Sequence, residues 1–337
     1  MKWPTTTIQT PNGEQQAIAP LVISASRATD IPAFHSRWFM ERLNAGYCVW
    51  VNPFNRSTKQ YISFSQCKVI VFWSKNPSPL MQHLEEIADR GFQFYFQFTL
   101  NDYVVERLEP YVSSLESRIE TFRKLSEMIG KEKIIWRFDP IILGESITVE
   151  CILEKIRRLW QQLSQHTEKL VFSFAEVDCY KKVQNNLRKN NLYLRKPSST
   201  EMIAIAEGIA KLNTVSTYPL VLASCAEKID LSAYGIEHNK CMDDKLILRL
   251  CKGDSAIFNF YKRPEQQKLP VDLVNKPLTR ARLKDPGQRR ECGCVASKDI
   301  GAYGTCPHMC AYCYANPAET IVASNMARLK AGSESLL

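Results

Sequence analysis

The sequence contains no long apolar run. Its most continuous ones, such as Val69 to Trp73, fall far short of the ~20 residues that a membrane-spanning helix needs. The opening Met1-Lys-Trp-Pro-Thr-Thr-Thr has no apolar stretch of signal-peptide length. A cytoplasmic location and no membrane association are therefore expected. Internal repeats and low-complexity tracts are lacking too, which excludes solenoid and linker-like architectures. What is present is an enzyme-sized chain of 337 residues, 45% hydrophobic, enough to bury the core of one large domain or two ordinary ones.

Cysteine is plentiful, with twelve residues. In a chain of this size with no export signal, reduced thiols or metal ligands are expected rather than disulfides. The net charge of +9 is uneven: Lys181 to Pro197 carries six basic residues and no acid, and Tyr261 to Arg290 carries nine against three acids. Such segments can follow a phosphate backbone, so nucleic acid is one partner to consider. No recognition helix or ladder of stacking aromatics accompanies them, and solvated loops are the simpler reading.

Short β-branched and aromatic runs recur at Leu21–Ala25, Lys68–Trp73, Gln93–Phe98, Lys133–Phe138, Leu170–Phe174 and Leu220–Ala223, with helical stretches between them. That alternation predicts βα units and a parallel sheet. Pro79–Arg90 and Ile147–Leu163 have apolar residues at helical spacing, and Ser198-x-x-Glu201 is a capping box opening a helix to about Leu212. Cys48–Phe64 reads as an inserted hairpin. The expected fold class is α/β, a (β/α) TIM-like barrel, full or partial. On this reading residues 1–260 form the barrel core, 261–290 a basic connector with four prolines, and 291–337 a cysteine-rich module ending in a helix. Asn316 is the expected N-cap of that helix, with Pro317 at its first position.

Active sites of such barrels gather at the carboxyl ends of the strands. The predicted strand ends are polar: Arg27 and Asp30, Lys75, Asn101 and Asp102, Arg137 and Asp139, Glu176, Cys225 and Glu227. Helix capping or mutual ion pairing accounts for any single one of them equally well.

Cys306, Cys310 and Cys313 lie in a C-x3-C-x2-C spacing. Three thiolates on one tight loop can hold three irons of a cuboidal four-iron cluster and leave the fourth open to a small ligand. With Tyr312 immediately before the third cysteine, this segment resembles the motif of the radical S-adenosylmethionine superfamily. The resemblance implies a full or partial (β/α) barrel and a 4Fe-4S cluster whose open iron binds S-adenosylmethionine. It further implies one-electron cleavage to a 5′-deoxyadenosyl radical that abstracts hydrogen from an as yet unknown substrate, with an electron donor such as flavodoxin or ferredoxin. The superfamily usually carries its motif after the first barrel strand, whereas here it lies near the end of the chain. The whole sequence, with Ser26-Arg27-x-Thr29-Asp30-Ile31-Pro32 and Cys292-Gly-Cys294, is similar to an uncharacterised bacterial family with this arrangement. The displacement resolves if Ile300–Thr305 is a strand beside Leu21–Ala25, so that a circularly permuted barrel receives its first unit from the last residues of the chain.

Tyr312, Lys75, Arg137 and Asp139 are the candidate S-adenosylmethionine contacts, and Arg27, Asp30 and Glu176 the candidates facing substrate. An equally good alternative pairs Arg137 with Asp139 or Glu176 as buried ion pairs. Cys225, Cys241, Cys292 and Cys294 are candidates for a second, auxiliary four-iron cluster, with ordinary buried or surface cysteines as the alternative. A structural zinc site remains a rival for the cysteine module, and a non-catalytic, metal-stapled nucleic-acid-binding protein the rival for the whole chain. Cys48, Cys67, Cys151, Cys179 and Cys251 lie in apolar or helical contexts and are expected in the core.

Overall fold

The computed structural model describes residues 3–177, 181–189, 192–261, 284–285 and 287–337, with the backbone alone at Lys182 and Lys189. Among the described residues eight strands form one sheet: β1 (Val22–Ala25), β2 (Val69–Ser74), β3 (Gln93–Thr99), β4 (Ile134–Ile141), β5 (Lys169–Phe174), β6 (Val221–Ser224), β7 (Ile236–His238) and β8 (Lys298–Asp299). Every neighbouring pair is parallel, and the order across the sheet is β7-β6-β5-β4-β3-β2-β1-β8. All six strands predicted from sequence are present. Their runs are apolar on both faces, as a sheet covered on both sides requires. One face puts Ile23, Ile70, Phe72 and Phe96 against the helices, with Phe72 and Phe96 stacked 5.1 Å apart. The other gathers Val22, Val69, Val71, Tyr95, Ile135, Val171 and Ala223 in a second buried cluster.

The sequential strand order breaks once. Residues Ile23 and Ser24 of β1 pair with Lys298 and Asp299 of β8, so the last strand of the chain lies beside the first of the sheet. The expected strand at Ile300–Thr305 is thus found two residues earlier and is only two residues long. Asp299 latches it: Oδ2 accepts hydrogen bonds from Ser24 Oγ at 2.9 Å and the Arg27 N–H at 2.8 Å, and Oδ1 accepts the Gly301 N–H at 2.9 Å. A Cβ on Gly301 would come within 2.6 Å of Ser26 Cβ, so this crossing admits only glycine without displacement.

A closed barrel, one form of the expected architecture, is not formed among the described residues: β7 and β8 are the two edges of the sheet. They are three and two residues long and pair only with β6 and β1 among the described residues. The segments next to them do meet, since the Val295 N–H donates to the Met242 carbonyl at 3.1 Å.

The expected hairpin is present as Tyr47–Asn52 and Asn55–Ser63. It belongs to a separate four-stranded sheet with a second hairpin, Thr5–Thr10 and Gly13–Ile18, that the sequence reading did not find. Helices Val149–Leu163 and Ser199–Thr214 match expectation, and both halves of the Ser198/Glu201 capping box are made. The stretch Pro79–Arg90 is split into Ser78–Met81 and Leu84–Asp89. The final helix, Glu319–Arg328, starts later than predicted with Ala318 as its cap, because the Asn316 side chain is used elsewhere: its Nδ2 donates to the Cys306 carbonyl at 2.7 Å. Of the expected core cysteines, Cys48, Cys67 and Cys251 are buried, Cys151 is half-buried, and Cys179 lies outside the described residues, as does most of the 261–290 connector.

Candidate functional site

The loops at the carboxyl ends of β1, β2, β4, β5 and β6 and the segment after β8 surround one cavity of about 400 Å³, a size within the range of small-molecule sites. Arg27, Asp30, Lys75, Arg137, Asp139, Glu176 and Tyr312 all line it. So do Cys306, Cys310 and Cys313, and so do Cys225, Cys241, Cys292 and Cys294. Every candidate site residue taken from the sequence is therefore brought to one place, although their side chains do different things there.

The cysteine loop is held from three directions. Its entry is fixed by the His35 ring, whose Nε2 lies 2.8 Å from the Thr305 carbonyl. Its middle is fixed by His308, whose Nε2 is 2.9 Å from Asp30 Oδ2, and by the Ala311 N–H donating to the Leu108 carbonyl at 2.9 Å. Met309 between them has φ +50°, a left-handed conformation that turns the chain sharply before Cys310. Its exit is fixed by Tyr312, whose hydroxyl donates to Glu109 and accepts from Lys75 Nζ at 3.0 Å and Asn101 Nδ2 at 3.2 Å. Burial pushes the Cys306 thiol up to about 12 and the Cys310 thiol well above its usual range. Without metal both are protonated, and loading them must release protons.

Asp30 caps the helix Ile31–Phe34 by accepting the Ala33 N–H at 3.0 Å, and also accepts from Ser74 Oγ and the Lys75 N–H, each at 2.7 Å. With His308 as its fourth partner this carboxylate supports the loops. Lys75 Nζ pairs with Glu109 at 2.7 Å, and Arg118 reaches the same carboxylate at 3.4 Å. Burial opposes both charges of the Lys75–Glu109 pair, but each partner overrides it, holding the ammonium above and the carboxyl below its ordinary value. Lys75 is thus occupied by an internal partner, and so is Arg137, which pairs with Asp139 and donates to Gln97 Oε1 at 3.2 Å and to Cys241 Sγ at 2.9 Å. The alternative reading of Arg137 as half of a buried ion pair is the arrangement found. Glu176 accepts from Arg289 at 3.1 Å, and Arg27 faces Asp285 at 3.7 Å.

The sequence reading missed Glu109, Asn101 as a Tyr312 partner, His35 and Trp73. Trp73 lies between two cations, with Arg27 Cζ 5.5 Å and Arg137 Cζ 5.2 Å from its ring centre. Among the described residues three lining side chains have buried polar atoms without a partner, Arg27 Nη2, Thr29 Oγ1 and Trp73 Nε1. Three thiols on one loop together with unmatched donors fit a cluster with a polar ligand beside it. Among the described residues no three His, Cys, Asp or Glu side chains converge on the position of a single metal ion. Of the basic stretches, Arg195 is paired with Glu201, and 262–283 lies outside the described residues. No helix among the described residues is long and apolar enough to cross a membrane.

Residues 22–315 match a family described as a domain of unknown function, DUF1848. No curated protein and no solved structure matches the chain.

Proposed function

The chain belongs to this family of unknown function, and from that premise we propose that it is a radical S-adenosylmethionine-type enzyme with its cluster on Cys306, Cys310 and Cys313. The observation that carries the reading is topological. Strand β8 adds to β1 in parallel, the loop after it carries the three cysteines into the cavity at the strand ends, and a helix follows. This βα unit and the order β8-β1-β2 through β7 support reading the sheet as a partial, circularly permuted (β/α) barrel whose first unit comes from the end of the chain.

When bound, the cluster and S-adenosylmethionine supply one-electron cleavage of the sulfonium and a 5′-deoxyadenosyl radical able to take hydrogen from a substrate. The chain's own residues hold the site. Glu109, Lys75, Asn101 and Asp30 fix the cysteine loop through Tyr312 and His308. Among the described residues, Thr29 Oγ1 and Trp73 Nε1 are, with Arg27 Nη2, cavity-lining donors left for the polar groups of a cofactor. Asp139 accepts from Ser173 as well as Arg137, which supports a part for it in fixing the wall of the site. A single zinc ion is the weaker reading, because thiolates on a cuboidal cluster each bind a different iron, whereas one zinc needs its ligands around a single point. Electron paramagnetic resonance of the anaerobically reconstituted, dithionite-reduced protein tests the proposal. The spectrum should change when S-adenosylmethionine is added. An unchanged spectrum, or one zinc per chain with no iron, contradicts it.

A further inference from the structure

The four remaining cavity cysteines come from three places in the chain: Cys225 follows β6, Cys241 follows β7, and Cys292 and Cys294 precede β8. The fold nevertheless brings all four to the wall of one cavity and links three of them by direct contact. Cys225 Sγ is 3.4 Å from Cys241 Sγ. Cys294 Sγ accepts the backbone N–H groups of Cys241 at 3.2 Å and Met242 at 3.4 Å. Cys241 Sγ accepts from Asn239 Nδ2 at 3.0 Å and Arg137 Nη1 at 2.9 Å. The Cys241 carbonyl is fixed in turn by Tyr95 and Gln97 of β3, at 2.7 and 2.8 Å.

We propose that Cys225, Cys241, Cys292 and Cys294 hold a second, fully ligated four-iron cluster that staples the open seam between β7 and β8. Two independent observations support a ligand here. Hydrogen bonds from amides and cations onto sulfur are the contacts that stabilise an anionic thiolate cluster, and Cys241 Sγ receives one from Asn239 and one from Arg137, whose guanidinium also pairs with Asp139. Arg27, beside Trp73 on the same cavity wall, also carries a buried Nη2 with no acceptor among the described residues, as expected where an anionic group belongs. Four thiolates satisfy a four-iron cluster completely, so this site has no open iron and takes no substrate. Its place explains its use: Val295 bonds to Met242 where β7 and β8 fail to pair, and ligands on both sides of that seam would tie the edges together.

The site does not depend on the function proposed for Cys306, Cys310 and Cys313, and the test separates the two. A Cys306→Ala/Cys310→Ala/Cys313→Ala variant, reconstituted anaerobically, should retain about four irons per chain against about eight in the unaltered protein. A Cys292→Ser/Cys294→Ser variant should fall from about eight irons to about four, and should become more susceptible to proteolysis between Asp243 and Val295. Two outcomes overturn the proposal: a triple variant with no iron, or mass analysis of the native protein, purified anaerobically, showing a Cys225–Cys241 disulfide. The triple variant leaves the seam cysteines untouched, so its iron content reads the second site even if the Cys292→Ser/Cys294→Ser chain does not fold.

Discussion

Glu109 illustrates what a single residue does for this site. Its carboxylate is almost wholly buried, receives Lys75 and Arg118, and accepts the Tyr312 hydroxyl beside the third cysteine. Removing one partner of a buried charge cluster leaves the others uncompensated, which typically costs about 3–5 kcal/mol. Glu109→Ala should therefore lower unfolding stability by about that amount in urea titrations and loosen the cysteine loop. Lys298 gives a prediction of a different kind. Its ammonium sits over the Trp50 ring at 3.6 Å, and burial lowers it to about 8 despite the neighbouring Asp299 and Cys48. Because the unfolded chain holds this proton up to about pH 10.5, the folded state is penalised at neutral pH and relieved as pH rises through 8. Lys298→Met should melt higher than the parent protein at pH 7, and the gap should narrow by pH 10; a constant gap would contradict the burial argument. Cys306, Cys310 and Cys313 were legible as candidates from their spacing, and Cys225, Cys241, Cys292 and Cys294 only from their place near strand ends and beside that trio. Glu109 was not, because it lies in a loop without motif and acquires its role only from chain segments 34 and 203 residues away.

At the scale of elements, the join between β8 and β1 decides whether the cysteines reach the cavity. Two paired residues cannot hold a strand by ladder bonds alone, so Asp299 and the bare backbone of Gly301 do most of the fixing. Asp299→Ala leaves three donors without their acceptor and should cost about 1–3 kcal/mol. Gly301→Ala should be destabilising by a similar amount through its clash with Ser26, about 1–3 kcal/mol. Thermal unfolding of both variants checks this, and a neutral Gly301→Ala would mean that the crossing is looser than described. Parallel strands were readable because burial on both faces forces near-continuous apolar runs. The amino-terminal hairpin was missed because its exposed strands are polar, although Asn12-Gly13 carried a turn signal. The late start of the final helix was not readable either, since nothing in Asn316-Pro317 tells that the asparagine side chain closes the cysteine loop instead of capping the helix.

For the whole molecule, one arrangement links the fold to chemistry: a parallel sheet receives its last-made strand beside its first, and both cysteine groups arrive in a single cavity at the strand ends. The alternation of strands and helices in the sequence carried the layout of the sheet. Closure was beyond it, because whether two edges meet depends on strands of two and three residues with no distinctive composition. The most direct measurement of the central claim is the formation of 5′-deoxyadenosine by the reconstituted, dithionite-reduced protein supplied with S-adenosylmethionine under anaerobic conditions. The parent chain should form it, and Cys310→Ala should reduce the yield to the level of free cluster components. A parent chain that carries its iron yet forms no more 5′-deoxyadenosine than Cys310→Ala would contradict radical chemistry at this site.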